Sequence, residues 1–253
     1  MNSSLLRVDG LTVSYGGVTA VDAITFDVPE ARVTGLIGPN GAGKTSLIDA
    51  LTGYTRPASG RVRFDDADVT RRLPYWRARK GLCRTFQSVE LFGDLTVGEN
   101  LLTARERTAA ARLDGLASAR RRAADNAADV ARALELTGLG SVADLYPAQL
   151  TLGQRKLVGV ARALAARPRL VLLDEPAAGL DSDESQELGT RLRALADDGV
   201  GILLVDHDMG LVLGTCDHVM VLDFGRLIAS GPPEDVRQDP SVIAAYLGSE
   251  AAE

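Results

Sequence analysis

A glycine-rich octapeptide near the start of the chain carries the residue types that bind a polyphosphate. Residues 38–45 read GPNGAGKT and fit the spacing G-x4-G-K-[ST], between a strand-like apolar run at residues 33–37 and a predicted helix. Glycines let successive backbone N–H groups point at an anion, and the helix that follows adds the positive end of its dipole. Lys44 could reach the β- and γ-phosphates, and Thr45 could offer a hydroxyl to Mg²⁺. The octapeptide therefore predicts a nucleoside triphosphate site.

Two adjacent carboxylates follow a second apolar run. Asp174 and Glu175 come directly after residues 170–173, which read LVLL. Ligands of open α/β sheets bind at the carboxyl ends of strands, so one carboxylate could hold Mg²⁺, directly or through water, beside the triphosphate. The other could activate a water nucleophile. An acidic turn after a strand is common, but the phosphate loop upstream favours the functional interpretation.

The segment LTLGQ, residues 150–154, precedes a helix predicted from Arg155 to Ala166. Thr151 is a typical helix N-cap, and Gly153 would let an anion approach the positive end of the helix. Taken alone, the segment fits an ordinary cap equally well. Its position about twenty residues before the carboxylate pair favours a second phosphate-binding surface.

The elements that must position these residues alternate between strand and helix patterns, which predicts an α/β architecture with a helical insertion. Period-2 alternation predicts an early antiparallel layer with strands at residues 5–9, 11–15, 23–28 and 61–65 and a turn at Gly16-Gly17. Residues 101–135 are rich in alanine and arginine and predict helix. The last third predicts buried strands at 170–173 and 201–205, a helix at 185–197 and a hairpin of 219–223 with 226–229.

Composition narrows the class of protein. The net charge of −6 disfavours a protein that binds nucleic acid through its phosphates. Cys83 and Cys216 lack metal-ligand spacing and fit a reducing cytosol. Residues 1–4 lack the basic start of a signal peptide, and no apolar run approaches the roughly 20 residues that span a bilayer. We therefore expect any role at a membrane to depend on partner subunits.

The order of the motifs along the chain resembles the ATP-binding subunit of ABC transporters. The motifs are, in order, the phosphate loop, RTFQ at 84–87, LTLGQ at 150–154, LLDEP at 172–176, GLD at 179–181 and His207. The resemblance covers about residues 5–248 and implies a P-loop NTPase (RecA-like) core with an antiparallel β subdomain and an α-helical subdomain. It implies one nucleotide-binding domain over residues 1–253, in which 1–87 and 159–253 form the core with the β subdomain and 88–158 form the α-helical subdomain.

A finer resemblance is to the branched-chain amino acid importer group, and to the longer of its two ATPases. It is carried by residues 84–87, 91–100, 174–180, 221–226 and 239–248. It implies an ATPase that drives solute uptake through separate permeases.

The resemblance also implies a role for each matching residue. Tyr15 would stack on the adenine of ATP, Glu175 would be the general base, and His207 would contact the γ-phosphate. The phosphates would be wrapped by Gly38, Pro39, Asn40, Gly41, Ala42, Gly43, Lys44, Thr45 and Ser46. The Mg²⁺ ligands would be Thr45, Gln87 and Asp174, and the catalytic residues would be Lys44, Gln87, Glu175 and His207. Residues serving ATP across a dimer interface would be Thr151, Gly153, Gln154 and Asp181.

The implied partners are a second ATPase subunit, which is a paralogue or a second copy, and two integral membrane permeases. The permeases would contact Ser88–Asn100, where Val89, Leu91, Phe92 and Leu95 are expected to be exposed; core packing is the competing interpretation. An extracytoplasmic solute-binding protein would take part indirectly, and no nucleic acid is expected. The chain would lie peripherally on the cytoplasmic face of a bacterial plasma membrane.

Three alternatives stay open at this point. A lipopolysaccharide-export ATPase is a close relative within the transporters. A soluble ABC ATPase of DNA repair or translation would usually carry coiled-coil insertions or tandem domains, which this chain lacks. A non-enzymatic nucleotide-binding regulator is disfavoured by the intact Glu175.

Two positions depart from the family pattern. Thr151 stands where the family has serine, so the hydroxyl is kept but a methyl group is added beside the expected γ-phosphate. Asp206 stands where the importer group usually has glutamate, and we expect little effect from that change.

Overall fold

A computed structural model describes residues 4–85, 90–105 and 116–250; for residues 116–122 and 247–250 only the helical backbone is described. The strands are β1 (Ser4–Tyr15), β2 (Val18–Pro29), β3 (Val33–Ile37), β4 (Ser59–Phe64), β5 (Ala67–Asp68), β6 (Leu82–Arg84), β7 (Leu170–Asp174), β8 (Gly201–Val205), β9 (His218–Asp223) and β10 (Arg226–Gly231). The helices are α1 (Lys44–Thr52), α2 (Pro74–Arg79), α3 (Val97–Thr103), α4 (Leu116–Thr137), α5 (Leu152–Ala165), α6 (Ser182–Asp197), α7 (Met209–Thr215), α8 (Pro233–Gln238) and α9 (Pro240–Glu250).

A six-stranded sheet forms the centre of the fold, in the order β10-β9-β3-β8-β7-β6. Strands β9, β3, β8, β7 and β6 are parallel, and β10 pairs antiparallel with β9. Every residue of β3, β7 and β8 is buried, because both faces of this sheet are covered. Parallel pairing brings the carboxyl ends of β3, β6, β7 and β8 to one edge of the sheet. The segments that carry the candidate site residues begin at this edge.

The two faces of the sheet belong to two hydrophobic clusters. In β7, Val171 and Leu173 pack with residues of helices α5, α6 and α7, whereas Leu170 and Leu172 pack with α1 and with the antiparallel layer. Alternate residues of a strand point to opposite faces, so a fully apolar strand supplies both clusters. The sequence prediction of buried parallel strands is confirmed.

The early strands form a separate four-stranded antiparallel sheet in the order β2-β1-β4-β5. The predicted turn at Gly16-Gly17 joins β1 and β2, which pair from Tyr15↔Val18 to Ser4↔Pro29. Buried and exposed residues alternate along the second half of β2, as expected for a sheet with one covered face. The predicted antiparallel layer is therefore confirmed, except that residues 5–9 and 11–15, predicted as two strands, form the single strand β1.

Helices α3, α4 and α5 pack together beside the central sheet. The Asp129 carboxylate of α4, 2% exposed, is paired with Arg105 at 2.7 Å and with Arg167. The predicted alanine-rich helix is thus present as α4, after α3 has ended at Thr103. Among the described residues, no helix is both long and apolar enough to cross a membrane.

Helices α5 and α6 each begin three residues before the predicted start, because an N-cap precedes each of them. Thr151 caps α5 and Asp181 caps α6, and both belong to reciprocal capping boxes, with Gln154 and Glu184 respectively. In such a box the cap side chain accepts a backbone N–H of the first turn, and the third helical residue accepts the N–H of the cap.

Candidate functional site

The loop after β3 has a backbone that only glycine accommodates at two positions. Gly38 has φ +155° and lies where a Cβ would stand 2.0 Å from the Leu222 carbonyl oxygen. Gly43 has φ +105°, and its Cβ would stand 2.2 Å from the Ala20 carbonyl oxygen. The backbones of β9 and β2 therefore press against the loop on these sides. Gly43 is also the N-cap of α1, so the loop opens onto a helix N-terminus as predicted.

Lys44 is folded back onto its own loop. Its Nζ donates to the carbonyl oxygens of Gly38 at 2.7 Å and Pro39 at 3.0 Å, and the residue is 7% exposed. Burial lowers the pKa of this ammonium, and the carboxylates of Glu175, Asp174 and Asp206 oppose that shift. The buried Lys44 ammonium thus interacts with three acidic residues that lie at the ends of β7 and β8.

Asp174 is the last residue of β7 and Glu175 the first residue beyond it. Glu175 has φ +48°, a left-handed backbone that is uncommon for a residue other than glycine, and its N–H donates to the Val205 carbonyl at 2.7 Å. Such strained conformations cluster at functional sites, where the surrounding structure holds them. The predicted carboxylate pair therefore lies on a sharp turn at the edge of the sheet.

Arg84, at the end of β6, holds the first of these carboxylates. Its Nη2 donates to Asp174 Oδ2 at 2.9 Å, and its Nη1 is paired with Asp49 of α1. Burial raises the pKa of Asp174 and the Arg84 guanidinium opposes the rise, whereas Glu175 and Asp49 add to it. Sequence reasoning treated Arg84 only as part of a motif and missed this contact.

Asp206 links the ends of β7 and β8. The residue is fully buried, and its Oδ2 accepts the N–H of Ala177 at 3.0 Å. Its Oδ1 accepts the N–H groups of His207 at 2.8 Å and Asp208 at 3.1 Å. Sequence reasoning missed this residue as a functional one; its only signal was an acidic side chain at a strand end, one position before the histidine.

His207 and Tyr15 lie at the rim of the site. The His207 side chain is 58% exposed, with its Nδ1 3.5 Å from Asp206 Oδ1. Tyr15 ends β1, is 46% exposed, and its hydroxyl is 3.2 Å from Thr55 Oγ1. Both rings are therefore accessible to a ligand.

The LTLGQ segment is built into a capping box at the start of α5. Thr151 Oγ1 accepts the N–H of Gln154 at 3.1 Å, and Gln154 Oε1 accepts the N–H of Thr151 at 3.0 Å. A Cβ on Gly153 would stand 2.8 Å from Glu184 Oε1 of α6. These residues line a shallow cleft with the end of α4 and the start of α6. Asp181 is exposed at the N-terminus of that helix.

The segment expected to contact permeases is described only in part. Gln87, Ser88 and Val89 lie outside the described residues. Of the other apolar residues expected to be exposed, Phe92 is 51% exposed. Leu91, however, packs on the main core cluster, and Leu95 is half-buried. The expectation of exposure was wrong for these two leucines, since the segment folds back onto α3 and α5.

Folding back of this segment depends on one buried amide. Asn100 is fully buried, and the two hydrogens of its Nδ2 are shared among three carbonyl oxygens within hydrogen-bond distance, those of Phe92 at 3.0 Å, Leu95 at 3.1 Å and Thr96 at 2.9 Å. Its Oδ1 accepts the N–H of Phe92 at 2.9 Å. The loop before α3 is thus wound around a single side chain.

A groove of about 740 Å³ runs from the carboxylate pair to the outer surface. Its walls come from α2, α5 and the segment around Phe92, and Asp174 and Glu175 line its inner end. Two exposed aromatic side chains, Tyr54 and Tyr75, stand at the wall. The groove therefore connects the carboxylates with a largely apolar opening.

The last helix returns to the phosphate loop. Tyr246 of α9 packs against the main core cluster. Burial raises the pKa of its hydroxyl, and a hydrogen bond with the backbone of Gly38 opposes the rise. Helix α9 therefore meets the first glycine of the loop that carries Lys44.

Comparison with known proteins assigns the chain to a protein family. Residues 21–178 match the family described as ABC transporter, which is more than half of the chain. The chain belongs to the ABC transporter ATP-binding family. Residues 226–252 also match the family described as branched-chain amino acid ATP-binding cassette transporter. ATP binding and ATP hydrolysis are the activities of this family.

Relatives of similar length support the assignment. The chain is 40% identical to the high-affinity branched-chain amino acid transport ATP-binding protein BraF of Pseudomonas aeruginosa, over 98% of this chain and 99% of the relative. It is 39% identical to the corresponding protein LivG of Escherichia coli K12, with the same coverage. These names do not favour the export alternative.

Solved ABC cassettes have the same fold. MJ1267 in its ADP conformation, an ATP-binding cassette of an ABC transporter, superposes with a TM-score of 0.84 at 29% identity, covering 97% of this chain and 99% of that one. A nucleotide-free ATP-binding cassette gives a TM-score of 0.83 at 29% identity, with 96% and 99% coverage. The predicted fold, a P-loop NTPase of mixed α and β elements, is confirmed for this ABC ATPase.

Proposed function

We propose that this ABC ATPase energises the import of branched-chain amino acids, or of related amides or carboxylates, through separate membrane permeases. The observation that carries the proposal is the full-length similarity to BraF and LivG, whose names specify branched-chain amino acid transport. The match of residues 226–252 to the branched-chain amino acid cassette family supports the same solute class.

The ATP site is assigned to the loop after β3. The loop residues 38–46 wrap the phosphates, Lys44 neutralises the charge of the β- and γ-phosphates, and Tyr15 stacks on adenine. The backbones of β2 and β9 support this assignment, because their close approach at Gly38 and Gly43 holds the loop in the left-handed conformations that let successive N–H groups point at an anion. The Lys44 Nζ donates to two loop carbonyls, which leaves a third N–H for a phosphate oxygen.

The oxygen donors at this edge of the sheet suit Mg²⁺, which prefers carboxylate, hydroxyl and phosphate oxygens. We assign its protein ligands to Thr45, Asp174 and Gln87, of which Gln87 lies outside the described residues. Thr45 is exposed at the start of α1 and Asp174 is buried at the end of β7. When bound, Mg²⁺ would neutralise phosphate charge during transfer.

Hydrolysis is assigned to the turn after β7 and the loop after β8. Glu175 accepts the proton of the attacking water, and His207 contacts the γ-phosphate; Lys44 and Gln87 complete the catalytic set. Asp206 supports this division of roles, because its hydrogen bonds join the turn that carries Glu175 to the loop that carries His207.

The far side of the γ-phosphate is assigned to a second ATPase subunit, a paralogue or another copy. Thr151, Gly153 and Gln154 of one subunit, with Asp181, would serve the ATP of the other, so that two ATP molecules are sandwiched between them. The cleft that the LTLGQ segment lines includes no residue of the phosphate loop, which supports service in trans. The helix N-terminus of α5 supplies the partial positive charge.

The groove beside the carboxylates is assigned to the permeases, which would contact the segment Ser88–Asn100. The exposed aromatic side chains Phe92, Tyr54 and Tyr75 fit an apolar partner helix. The subunit would then lie on the cytoplasmic face of a bacterial plasma membrane, and a solute-binding protein would act from the other side.

The division into a core at 1–87 and 159–253 and a helical part at 88–158 stays a proposal. Helix α5 runs through the junction at residues 158 and 159 without a break. Movement of the helical part against the core would therefore carry this helix with it.

Solute uptake tests the proposal directly. Cells that lack the gene should lose uptake of labelled leucine, isoleucine or valine, or of a related amide. The parent gene should restore uptake, and a gene carrying Glu175→Gln should not. Unchanged uptake of all these solutes in the deleted strain would reject the solute class.

The three lysines of the chain allow a matched test of the phosphate loop. Lys44→Ala should bind a fluorescent ATP analogue at least about tenfold more weakly, because a charge-assisted contact is lost. Lys80→Ala, at the residue that follows α2, should bind it as the parent does. Equal affinities of parent and Lys44→Ala would reject the assignment of the loop.

A further inference from the structure

We propose that Arg84 is a positioning residue: it holds Asp174 in the orientation that serves Mg²⁺, and it connects that carboxylate to the wall of the permease groove. The proposal rests on the proposed role of Asp174 as a magnesium ligand. It adds a residue, and a route from the groove to the metal, that the assignment of the site does not contain.

The first observation is the geometry of the guanidinium. The Arg84 side chain is 8% exposed and that of Asp174 is 7% exposed, and they meet at 2.9 Å. The second prong of the guanidinium is paired with Asp49 of α1, the helix that the phosphate loop opens onto. A planar fork that bridges two carboxylates fixes both of them in direction as well as neutralising them. Asp174 is thereby tied to the helix that carries Lys44 and Thr45.

The second observation is the neighbour on the outer side. The Arg84 guanidinium lies over the ring of Tyr54, 5.8 Å from its centroid. Tyr54 is 58% exposed and lines the groove together with Arg84 and Asp174. A partner that enters the groove and shifts Tyr54 would therefore act on the guanidinium, and the guanidinium acts on the carboxylate.

The test is Mn²⁺ binding to the complex of the full chain with a non-hydrolysable ATP analogue, measured by electron paramagnetic resonance. Arg84→Met should bind Mn²⁺ about tenfold more weakly than the parent, the loss typical of a group that orients a ligand. In proteins that already carry Asp174→Asn, adding Arg84→Met should cause no further loss of Mn²⁺ affinity, because Arg84 acts through that carboxylate. Unchanged or tighter binding in Arg84→Met, or the same loss in the Asp174→Asn background, overturns the proposal.

Two further variants separate positioning from charge and from simple destabilisation. Arg84→Lys keeps the charge but lacks the planar fork that fixes the direction of each carboxylate, so it should retain a several-fold loss. Complete restoration of Mn²⁺ affinity overturns a positioning role. Arg77→Met is the structural control, since Arg77 is 1% exposed and donates to the carbonyls of Ala50 and Leu51 at the end of α1. It should unfold more easily and bind Mn²⁺ as the parent does, and a loss of affinity equal to that of Arg84→Met overturns the proposal.

The connection between Arg84 and the groove is tested by a variant of Tyr54 and a matched control variant of Tyr75. Tyr54→Leu removes the ring under the guanidinium and should weaken Mn²⁺ binding about two- to fivefold, the scale of an exposed cation–π contact. Tyr75→Leu changes another exposed tyrosine of the same groove and should have no effect. Equal behaviour of the two variants overturns this connection.

Failure of the inference and failure of the proposed site are distinguishable. If Asp174→Asn alone leaves Mn²⁺ affinity unchanged, then Asp174 is not a ligand, and the assignment of the magnesium site fails with it. If Asp174→Asn loses affinity and Arg84→Met does not, only the role of Arg84 is rejected.

Discussion

The carboxylate of Asp206 accepts the backbone N–H of Ala177 at 3.0 Å, so that one buried side chain joins the loop after β8 to the turn after β7. The same carboxylate accepts the N–H groups of His207 and Asp208. Glu175 and His207 are thereby held in one frame, although 32 positions separate them in the chain. The distance between the proposed base and the proposed γ-phosphate contact is then set by Asp206.

Replacing Asp206 should cost stability as well as activity. Asp206→Ala leaves the buried N–H of Ala177 and the part-buried N–H groups of His207 and Asp208 without their acceptor. We expect about 2–4 kcal/mol less stability in urea unfolding. Asp239→Ala is the control, because Asp239 accepts the Ser241 N–H and hydroxyl at the surface, and it should change stability much less. If Asp206→Ala unfolds at the same urea concentration as the parent, the frame does not depend on this carboxylate.

Glu175→Gln should bind ATP and hydrolyse it about 10²–10⁴-fold more slowly, because an amide cannot accept the proton of the attacking water. ATP turnover by the assembled complex and nucleotide binding by the same protein measure the two effects. Turnover like that of the parent would show that another group is the base.

Glu175→Gly should be as inactive as Glu175→Gln and at least as stable as the parent. The backbone at this position has φ +48°, which glycine adopts without strain, whereas the side chain adds strain of about 1 kcal/mol. Thermal unfolding of the two variants checks this. A marked loss of stability in Glu175→Gly would mean that the side chain stabilises the turn.

Gly153→Ala should impair ATP hydrolysis by the dimer far more than it impairs folding. The added Cβ would stand 2.8 Å from Glu184 Oε1, and Glu184 also accepts the N–H of Asp181 in the capping box of α6. Displacing Glu184 should cost about 1 kcal/mol at most. Gly214→Ala is the matched control, since its Cβ meets nothing within 4 Å, and it should stabilise α7 slightly. Full activity of Gly153→Ala would reject close approach to a nucleotide there.

Asp217 should make stability depend on pH on the acid side. Burial opposes its ionisation, but the Val33 N–H at 2.9 Å and the guanidinium groups of Arg193 at 2.9 Å and Arg32 at 3.1 Å outweigh burial and hold its pKa below the usual value. A lowered pKa adds stability above the unfolded value near 3.8, and this stability is lost as the pH falls through the folded pKa.

Asp217→Asn provides the measurement. The parent should be more stable than the variant at pH 6–7, and the difference should shrink as the pH is lowered below about 4, in parallel chemical unfolding curves. A difference that stays constant over this range would assign the effect to the lost hydrogen bonds rather than to ionisation.

Much of the central sheet was predictable, because its strands are continuous apolar runs between turn signals. The strand at residues 201–205 has the predicted bounds. The strand predicted at residues 170–173 is one residue longer and ends at Asp174. The starts of α5 and α6 were less accurate. Their capping boxes, Thr151 with Gln154 and Asp181 with Glu184, lie outside the apolar periodicity on which the helix prediction depended.

The candidate site was predictable where its residues belong to a motif of fixed spacing along the chain, as in the phosphate loop. It was not predictable where a contact depends on how distant segments pack in the fold. Arg84 and Asp174 are 90 positions apart and meet only because β6 pairs with β7. Leu91 was expected at the surface, and the hydrogen bonds of the buried Asn100 amide turn its segment inwards instead. A local pattern contains neither of these relationships.

The return of helix α9 to Gly38 has a practical consequence for work on the purified protein. An affinity tag or fluorescent protein fused directly after this helix would be anchored a few residues from Tyr246, and so close to the base of the nucleotide pocket. Binding constants obtained with such fusions should be checked against protein tagged ahead of β1, a strand of the other sheet that pairs with β2 and β4.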